Sequence, residues 1–185
     1  PKYIKAWLLF HCLDFHYGTA MMRREIFTSL RLSYRDGCHG MQDYFFYIQA
    51  SKKVSISSID ECLIKYRIHD KNTKNLEMDK NKIIREKLYS AFQYYSLLCS
   101  GFTLKPVDRR LLTSLLRENG YECRSWYEFC ALRSVLIDIL NQAVALDIDW
   151  YDELEIVCKQ ILGRAMRRID DFIRGELVYY GDKDL

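Results

Sequence analysis

The sequence predicts a predominantly helical chain in which a short α/β region precedes an all-α bundle. Residues 1–72 alternate short helix-like stretches with runs of β-branched residues, as in mixed α/β folds. Beyond them, apolar residues recur at the 3.6-residue spacing of amphipathic helices. The 185 residues include only two prolines, and 49% are hydrophobic, so the chain is expected to build a genuine core.

The α/β region is predicted to contain three strands and two helices. "YGTAMM" (17–22) is predicted to be a strand entered at a glycine. "VSISS" (54–58) and "LIKYRI" (63–68) are predicted to be strands because they are rich in β-branched residues, which favour extended backbone. The segments at 23–30 and 41–53 follow the helical pattern instead. A polar stretch after Asn72 marks the change of pattern. We therefore predict two domains, residues 1–75 and 76–185.

Four antiparallel helices, packed as a bundle, are predicted in the second domain. The first ends at Gly101, a residue suited to the left-handed position after a helix, and the second runs from Pro106 to Gly120. Helical spacing gives the first helix an expected buried stripe of Ile84, Leu88, Phe92, Tyr95 and Cys99.

The third helix is predicted to begin at a capping box, in which Ser125 and Glu128 each satisfy a free backbone N–H group of the other. The fourth is predicted from about Asp149 to Gly175. The expected buried faces are Trp126, Phe129, Cys130, Ile137, Leu140 and Val144 on the third helix, and Leu154, Val157, Ile161, Ala165, Ile169 and Phe172 on the fourth.

Charge and cysteine usage exclude several classes of protein. The 28 basic and 25 acidic residues leave a charge of +3, so no nucleic-acid partner is expected. The seven cysteines include no Cys-x-x-Cys pair, which favours buried thiols in a reducing cytoplasm over a zinc site or a disulfide framework. No apolar run reaches the ~20 residues needed to cross a bilayer. The chain starts in mid-pattern without Met, so we expect a fragment of a longer protein.

The stretch from His39 to Asn72 places an acidic residue at a helix start and closes on Tyr-Arg-x-His. Transfer of a group from an activated donor to a hydroxyl needs a general base and positive charge near the departing diphosphate. Asp43 suits the first task, because a helix N-terminus stabilises an ionised carboxylate. An Asp at this position is also typical of a helix N-cap, and the residues alone leave both interpretations open.

The order of motifs in residues 4–75 resembles the acceptor-side half of the family 2 glycosyltransferases, bacterial inverting enzymes of the GT-A fold. The matching features are a small-residue strand that ends in Met-x-Arg-Arg (21–24), an Asp-Tyr pair at a helix start (43–44), and "ISSIDECLIKYRIH" (56–69) followed by Asn72. The resemblance implies that the α/β region is a remnant of a GT-A catalytic domain. Gln42 departs from the family pattern, which has Glu at this position.

This resemblance implies the inverting transfer of a sugar from a nucleotide sugar to a hydroxyl of a cell-surface glycan or lipid-linked saccharide. Asp43 would be the catalytic base, His69 would lie near the donor diphosphate and its metal, and Gln42 and Tyr44 would lie on the acceptor side. The Mg²⁺ or Mn²⁺ of the family and its nucleotide contacts belong to a preceding half, so this fragment alone is expected to bind no metal and to be inactive. Such an enzyme works in the cytoplasm, at the inner face of the membrane, which leaves peripheral membrane contact open.

Two further interpretations concern the helical region. The Asp-x-Asp at 147–149 falls between two predicted helices, which favours loop and N-cap chemistry over a metal site. A rival class of function is a non-catalytic interaction module, in which the helices of residues 79–175 mediate self-association or docking. An Asp-x-Asp after alternating strands and helices upstream would favour the enzyme.

Overall fold

A computed structural model describes residues 1–12, 19–65, 67, 82–117 and 120–181, without the side chains of 82, 116, 117, 120 and 171–181. The chain forms two compact units, residues 1–96 and 97–185. Within the described residues there are seven helices and one two-stranded ladder. The prediction of a predominantly helical chain is therefore confirmed.

The first unit contains α1 (Lys2–Leu8), α2 (Glu25–Thr28), α3 (Gln42–Ala50) and most of α4 (Lys82–Cys99). Helix α1, for which no helix was predicted, packs against α3. The Gln93 side chain donates a 2.6 Å hydrogen bond to the carbonyl of Phe10. The core around α3 is apolar and rich in aromatic rings: Ile4, Leu8, Ile26, Leu32, Cys38, Met41, Tyr44, Phe46, Tyr47, Ile48 and Ala50.

None of the three predicted strands is seen among the described residues of 17–22, 54–58 and 63–68. After α3, residues 55–65 have no regular secondary structure and no hydrogen bond to any other described residue. Val54 and Ile56 nevertheless pack against the core while Ser55 and Ser57 are exposed, an alternation typical of β structure. A strand forms only by pairing with a neighbour, and the described part of the chain offers these residues none.

The second unit contains α5 (Pro106–Leu115), β1 (Leu116–Arg117), β2 (Gly120–Tyr121), α6 (Trp126–Ala145) and α7 (Tyr151–Gly181). Strands β1 and β2 pair antiparallel, and α6 packs against both α5 and α7. The buried side chains lie mainly on α6 and α7: Phe102, Leu112, Leu115, Phe129, Leu132, Val135, Leu136, Ile139, Ala143, Trp150, Leu154, Val157, Cys158, Ile161, Ala165 and Ile169.

Two predicted helix ends are confirmed. Gly101, with φ +89°, follows α4, and the N–H groups of Gly101 and Phe102 donate to the carbonyls of Leu98 and Leu97, a pattern that satisfies the free carbonyls of the last turn. At the start of α6, the Ser125 hydroxyl accepts the Glu128 N–H at 3.2 Å. The Glu128 carboxylate accepts the N–H of Arg124 instead of that of Ser125, so only the Ser125 half of the predicted capping box is confirmed.

The predicted end of the last helix is wrong, because α7 continues past Gly175 to Gly181. A glycine inside a helix costs only ~1 kcal/mol relative to alanine, so without a capping arrangement it need not end one. The predicted apolar stripe of α7 is confirmed where side chains are described, at Leu154, Val157, Ile161, Ala165 and Ile169. The side chain of Phe172 lies outside the described residues.

The predicted buried face of α6 is largely wrong. Its buried residues are Phe129, Leu132, Val135, Leu136, Ile139 and Ala143, whereas Trp126, Cys130, Ile137 and Val144 are exposed. Of the six residues predicted to be buried, only Phe129 is fully covered, and Leu140 is half-buried. Apolar residues occur on both sides of this helix, so their spacing alone does not say which side meets α5 and α7.

The stripe predicted for α4 is also only partly correct. Phe92 and Tyr95 pack against the core, but Ile84 and Cys99 are exposed. The most buried positions carry Gln93, Ser96 and Leu97. Periodicity of apolar residues misses this face because two of its buried members are polar.

The cysteines divide between interior and surface. Cys38, Cys123 and Cys158 are buried, as predicted, whereas Cys62, Cys99 and Cys130 are exposed and Cys12 is half-buried. Burial raises the pKa of Cys158 to about 12 and that of Cys123 to about 11, so both thiols stay protonated. Among the helices of the described residues, none is long and apolar enough to cross a membrane.

Candidate functional site

The candidate site lies at the start of α3, and a sharply turning loop leads into it. Gly37, His39 and Gly40 have φ values of +77°, +45° and +81°, and the Met41 N–H donates to the Cys38 carbonyl at 2.8 Å. Left-handed backbone is unusual for a residue other than glycine, and such conformations are concentrated at functional sites. This loop sets the direction in which the first turn of α3 presents its side chains.

Asp43 lies in the first turn of α3, where its Oδ1 accepts the N–H of Tyr44 at 2.8 Å. The N-cap position is occupied by Met41, which makes no side-chain capping bond, so the interpretation of Asp43 as the N-cap is wrong. Burial raises the pKa of Asp43, while the N–H groups of Tyr44 and Asp43 and the charge of Arg85 oppose that rise. A carboxylate held in place and made more basic by its surroundings is suited to accept a proton.

Two tyrosines share the surroundings of Asp43. The pKa of Tyr34 is raised, first by burial and then by the charge of Asp43. Tyr47 follows Asp43 by four residues on α3, and burial together with the charges of Tyr34, Asp43 and Cys12 raises its pKa to about 12. Their spacing of four residues places Asp43 and Tyr47 on one side of α3. Both tyrosines remain protonated, and therefore able to donate, across the physiological pH range.

A stack of three aromatic rings is centred on Phe46 of α3. Phe46 is buried, and its ring stacks with that of Tyr34 at 4.6 Å between centroids and with that of Phe27 at 5.9 Å, with interplanar angles of 16° and 20°. Tyr34 is 40% exposed and Phe27 is 43% exposed. Two aromatic rings with exposed area thus pack on Phe46, which follows Asp43 by three residues on α3.

The other residues predicted for the site have different positions. Gln42 is exposed beside Asp43 on the first turn of α3. Tyr44 is fully buried and donates a 3.1 Å hydrogen bond to the carbonyl of Leu8, so in this structure it supports α3 from the core side. His69 lies outside the described residues.

The described residues contain no group of three or more His, Cys, Asp or Glu side chains arranged to hold a metal ion. Residues 147–149 lie in the loop between α6 and α7, with Asp147 in the left-handed region at φ +50°. Their interpretation as loop residues is confirmed. The described residues thus supply no set of ligands for the Mg²⁺ or Mn²⁺ that the resemblance implies.

Sequence reasoning missed Phe27, Tyr34, Tyr47 and Arg85 as neighbours in this region. The spacing of four residues between Asp43 and Tyr47 was a usable signal, because residues so spaced meet on one face of a helix. Tyr34 and Phe27 contact Phe46 through tertiary packing, and no local sequence pattern predicts that contact.

Comparison with protein-family models, with curated proteins and with solved structures gave no match. The resemblance to family 2 glycosyltransferases therefore rests on the motifs in residues 4–75, and the function it implies is a proposal.

Proposed function

We propose that this chain forms the acceptor-side part of an inverting glycosyltransferase, with Asp43 as its general base. The observation that carries the proposal is the state of Asp43 in the first turn of α3. Its carboxylate is fixed by the Tyr44 N–H at 2.8 Å and lies in a partly desolvated position that raises its pKa. Perturbed carboxylates held rigidly beside exposed surface are typical of acid–base sites.

In the proposed reaction, an acceptor hydroxyl attacks the anomeric carbon of a nucleotide sugar from the side opposite the leaving group. The new carbon–oxygen bond forms as the bond to the nucleoside diphosphate breaks, so the configuration inverts. Asp43 takes the hydroxyl proton, and the diphosphate departs with the electron pair of the broken bond. The positive charge that would steady the diphosphate is assigned to groups beyond those described, among which the resemblance includes His69.

The GT-A remnant forms part of the same proposal. Residues 54–58 show the alternation of a strand, with Val54 and Ile56 on the core side, although no strand within the described part of the chain pairs with them. In the proposed enzyme this segment would join the sheet of the catalytic domain, and pairing would satisfy the backbone groups of residues 55–65. A crystal structure of the longer protein in which these residues remained unpaired would contradict this part of the proposal.

The test of the base is Asp43→Asn in the longer protein, assayed with a panel of nucleotide sugars. Asparagine keeps the shape and the oxygen that accepts the Tyr44 N–H but cannot take a proton, so turnover should fall by ~10²–10⁴. Donor binding should barely change. Asp36→Asn, at an exposed loop position of the same unit, is the matched control and should retain full activity. Wild-type turnover in Asp43→Asn with saturating acceptor would remove Asp43 from the mechanism.

A second candidate function is supported by the outer face of α6. Trp126, Ile137 and Val144 are exposed, and their spacings of eleven and seven residues place them on one side of the helix. Exposed large apolar side chains in such a row are typical of an interaction surface. The alternative proposal is that this face pairs with the same face of a second copy.

Sedimentation velocity separates this alternative from a monomer. If α6 mediates self-association, the wild-type chain should sediment as a dimer and Val144→Asp should sediment as a monomer with unchanged helix content. Ile156→Asp, at an exposed apolar position of α7, adds the same charge on another helix and should leave the dimer intact. A wild-type chain that stays monomeric at the highest soluble concentration would contradict the alternative.

A further inference from the structure

The two units of the chain carry net charges of opposite sign. Residues 1–96 include 16 basic and 10 acidic residues, a net charge of +6, whereas residues 97–185 include 12 basic and 15 acidic residues, a net charge of −3. The overall charge of +3 is therefore the sum of a basic first unit and an acidic second unit. Such an asymmetry along a chain is typical of proteins that bind an anionic surface or polymer.

The loop before α3 packs along that helix and brings basic side chains of both segments together. The Arg35 guanidinium lies 5.0 Å from the centroid of the Phe45 ring. Just past the end of α3, Lys53 Nζ donates to the carbonyl of Leu30 at 3.2 Å. These two contacts hold the loop from Leu30 to Arg35 alongside α3, and the exposed Arg31 lies within it.

Lys52 and Arg35 each lie over an aromatic ring. Lys52 Nζ is 4.7 Å from the centroid of the Tyr95 ring, and that centroid lies 5.6 Å from the centroid of the Phe45 ring. Both basic residues are exposed, and neither has an ion-pair partner among the described residues. A basic side chain that lies on a ring keeps its charge in water while its position is restricted. These two charges are therefore held in place and remain available to an anion.

Two exposed aromatic rings belong to the same loop. Phe27 and Tyr34 stack on the buried Phe46, and Tyr34 lies between Arg31 and Arg35 in the sequence. Aromatic side chains favour the headgroup layer of a bilayer, where neighbouring basic side chains meet anionic headgroups. We use the name basic–aromatic surface for Phe27, Arg31, Tyr34, Arg35, Lys52 and Lys53.

The acidic residues of this loop favour a lipid surface over a nucleic acid. Glu25 and Asp36 are exposed close to the basic residues in the sequence. The phosphates of a nucleic acid are fixed along its chain, so some of them would meet these carboxylates. Lipids diffuse singly in a bilayer, so anionic headgroups can collect under the cations and leave the carboxylates to neutral headgroups.

We propose that the basic–aromatic surface docks the first unit on a lipid bilayer that contains anionic headgroups. Its four cations attract the headgroups, and its two rings enter the headgroup layer. The partner is recognised by its charge and by its apolar interior. This inference goes beyond the proposed transferase function and does not depend on Asp43.

Cosedimentation of the complete 185-residue chain with vesicles tests the proposal. One set of vesicles contains phosphatidylcholine alone, and in the other about a third of the lipid is phosphatidylglycerol. The chain should sediment with the anionic vesicles only. Binding should weaken when salt is raised from about 0.1 M to about 0.5 M, because the attraction between exposed charges is screened.

The double variant Arg35→Gln/Lys52→Gln locates the binding surface. Each lost charge should weaken binding to the anionic vesicles about fivefold, so the pair should cost about 25-fold. Lys105→Gln/Arg110→Gln removes two exposed charges from the second unit and should change the affinity less than about twofold. Arg35→Lys/Lys52→Arg keeps both charges and should restore binding. Equal urea midpoints of the variants show that all of them are folded.

Phe27→Gln measures the contribution of the rings. The Phe27 side chain is 43% exposed, and its transfer into the headgroup layer should strengthen binding about fivefold. Phe27→Gln should remove this factor at low and at high salt alike, because burial of apolar area does not depend on screening. Tyr127→Gln, at an exposed tyrosine of the second unit, is the matched control and should bind as wild type does.

Several results would overturn the proposal. They are no binding to anionic vesicles, equal binding to phosphatidylcholine vesicles, equal losses in Arg35→Gln/Lys52→Gln and its control, and unchanged binding in Phe27→Gln. Tighter binding of a poly-uridine RNA than of the vesicles would assign the surface to nucleic acid instead. Release of the chain from vesicles by inorganic phosphate at constant ionic strength would show a site for a single phosphate group. Vesicle binding together with full turnover of Asp43→Asn would retain the surface and remove the base.

Discussion

Two valines on α6 provide a matched test of which side of that helix is buried. Val135 is 3% exposed and Val144 is 64% exposed, so the same substitution to alanine probes the two faces. Each change removes two methyl groups, worth about 0.8 kcal/mol apiece when they are fully buried. At Val135 the transfer term is therefore about 1.6 kcal/mol, and the cavity left behind adds to it. Alanine has a higher helix propensity than valine, and this offsets the loss of unfolding free energy by about 0.5 kcal/mol.

The expected loss of unfolding free energy in Val135→Ala is thus about 1–2 kcal/mol. At Val144 only about a third of the transfer term applies, roughly 0.5 kcal/mol, and the gain in helix propensity cancels it. Urea titration monitored by circular dichroism should separate the two variants by a clear shift in midpoint. Equal losses in both, or a larger loss in Val144→Ala, would refute the assignment of the buried face.

Three further predictions concern single side chains. Ser125→Ala should cost about 1 kcal/mol of unfolding free energy, because the Glu128 N–H loses its cap; an unchanged urea midpoint would show the cap to be unimportant. Tyr44→Phe should cost about 1–3 kcal/mol by leaving the buried Leu8 carbonyl unpaired, and thermal melting checks this. Burial raises the pKa of Asp43 above its unfolded value near 3.8. The contribution of this carboxyl to the free energy of unfolding is therefore lost as pH rises through the folded pKa. Asp43→Asn should therefore be more stable than wild type at pH 7, with the difference vanishing at low pH, and melting curves at both pH values would expose the opposite trend.

Sequence patterns predicted local features of this fold better than its packing. The capping box at Ser125 and the glycine after α4 were found because their hydrogen bonds join residues close in sequence. The stripe on α7 was found because charged residues on its other side leave only one candidate face. On α6 both sides carry apolar residues, so the choice between them depends on where α5 and α7 lie.

In the candidate site, too, local features were predicted and features that depend on tertiary packing were not. The position of Asp43 in the first turn of α3 follows from local pattern, and its placement there was predicted. Its raised pKa depends on burial by residues distant in sequence, and so does the approach of Tyr34 from the loop before α3. The strand expected at 54–58 failed for a related reason, because β structure requires a pairing partner that no local run of residues can specify.

Residues 55–65, which make no hydrogen bond to any other described residue, bear on how the chain behaves at high concentration. A neighbouring molecule can pair its own backbone with such a segment, and burial of the exposed Ile59 and Leu63 would stabilise that contact. Asp60 and Glu61 stand between them, and stacking copies in register would bring like charges to a spacing of about 4.8 Å. These two acidic residues therefore act as gatekeepers against aggregation. Their protection weakens in concentrated salt, where charges are screened, and in acid, where the carboxylates gain protons.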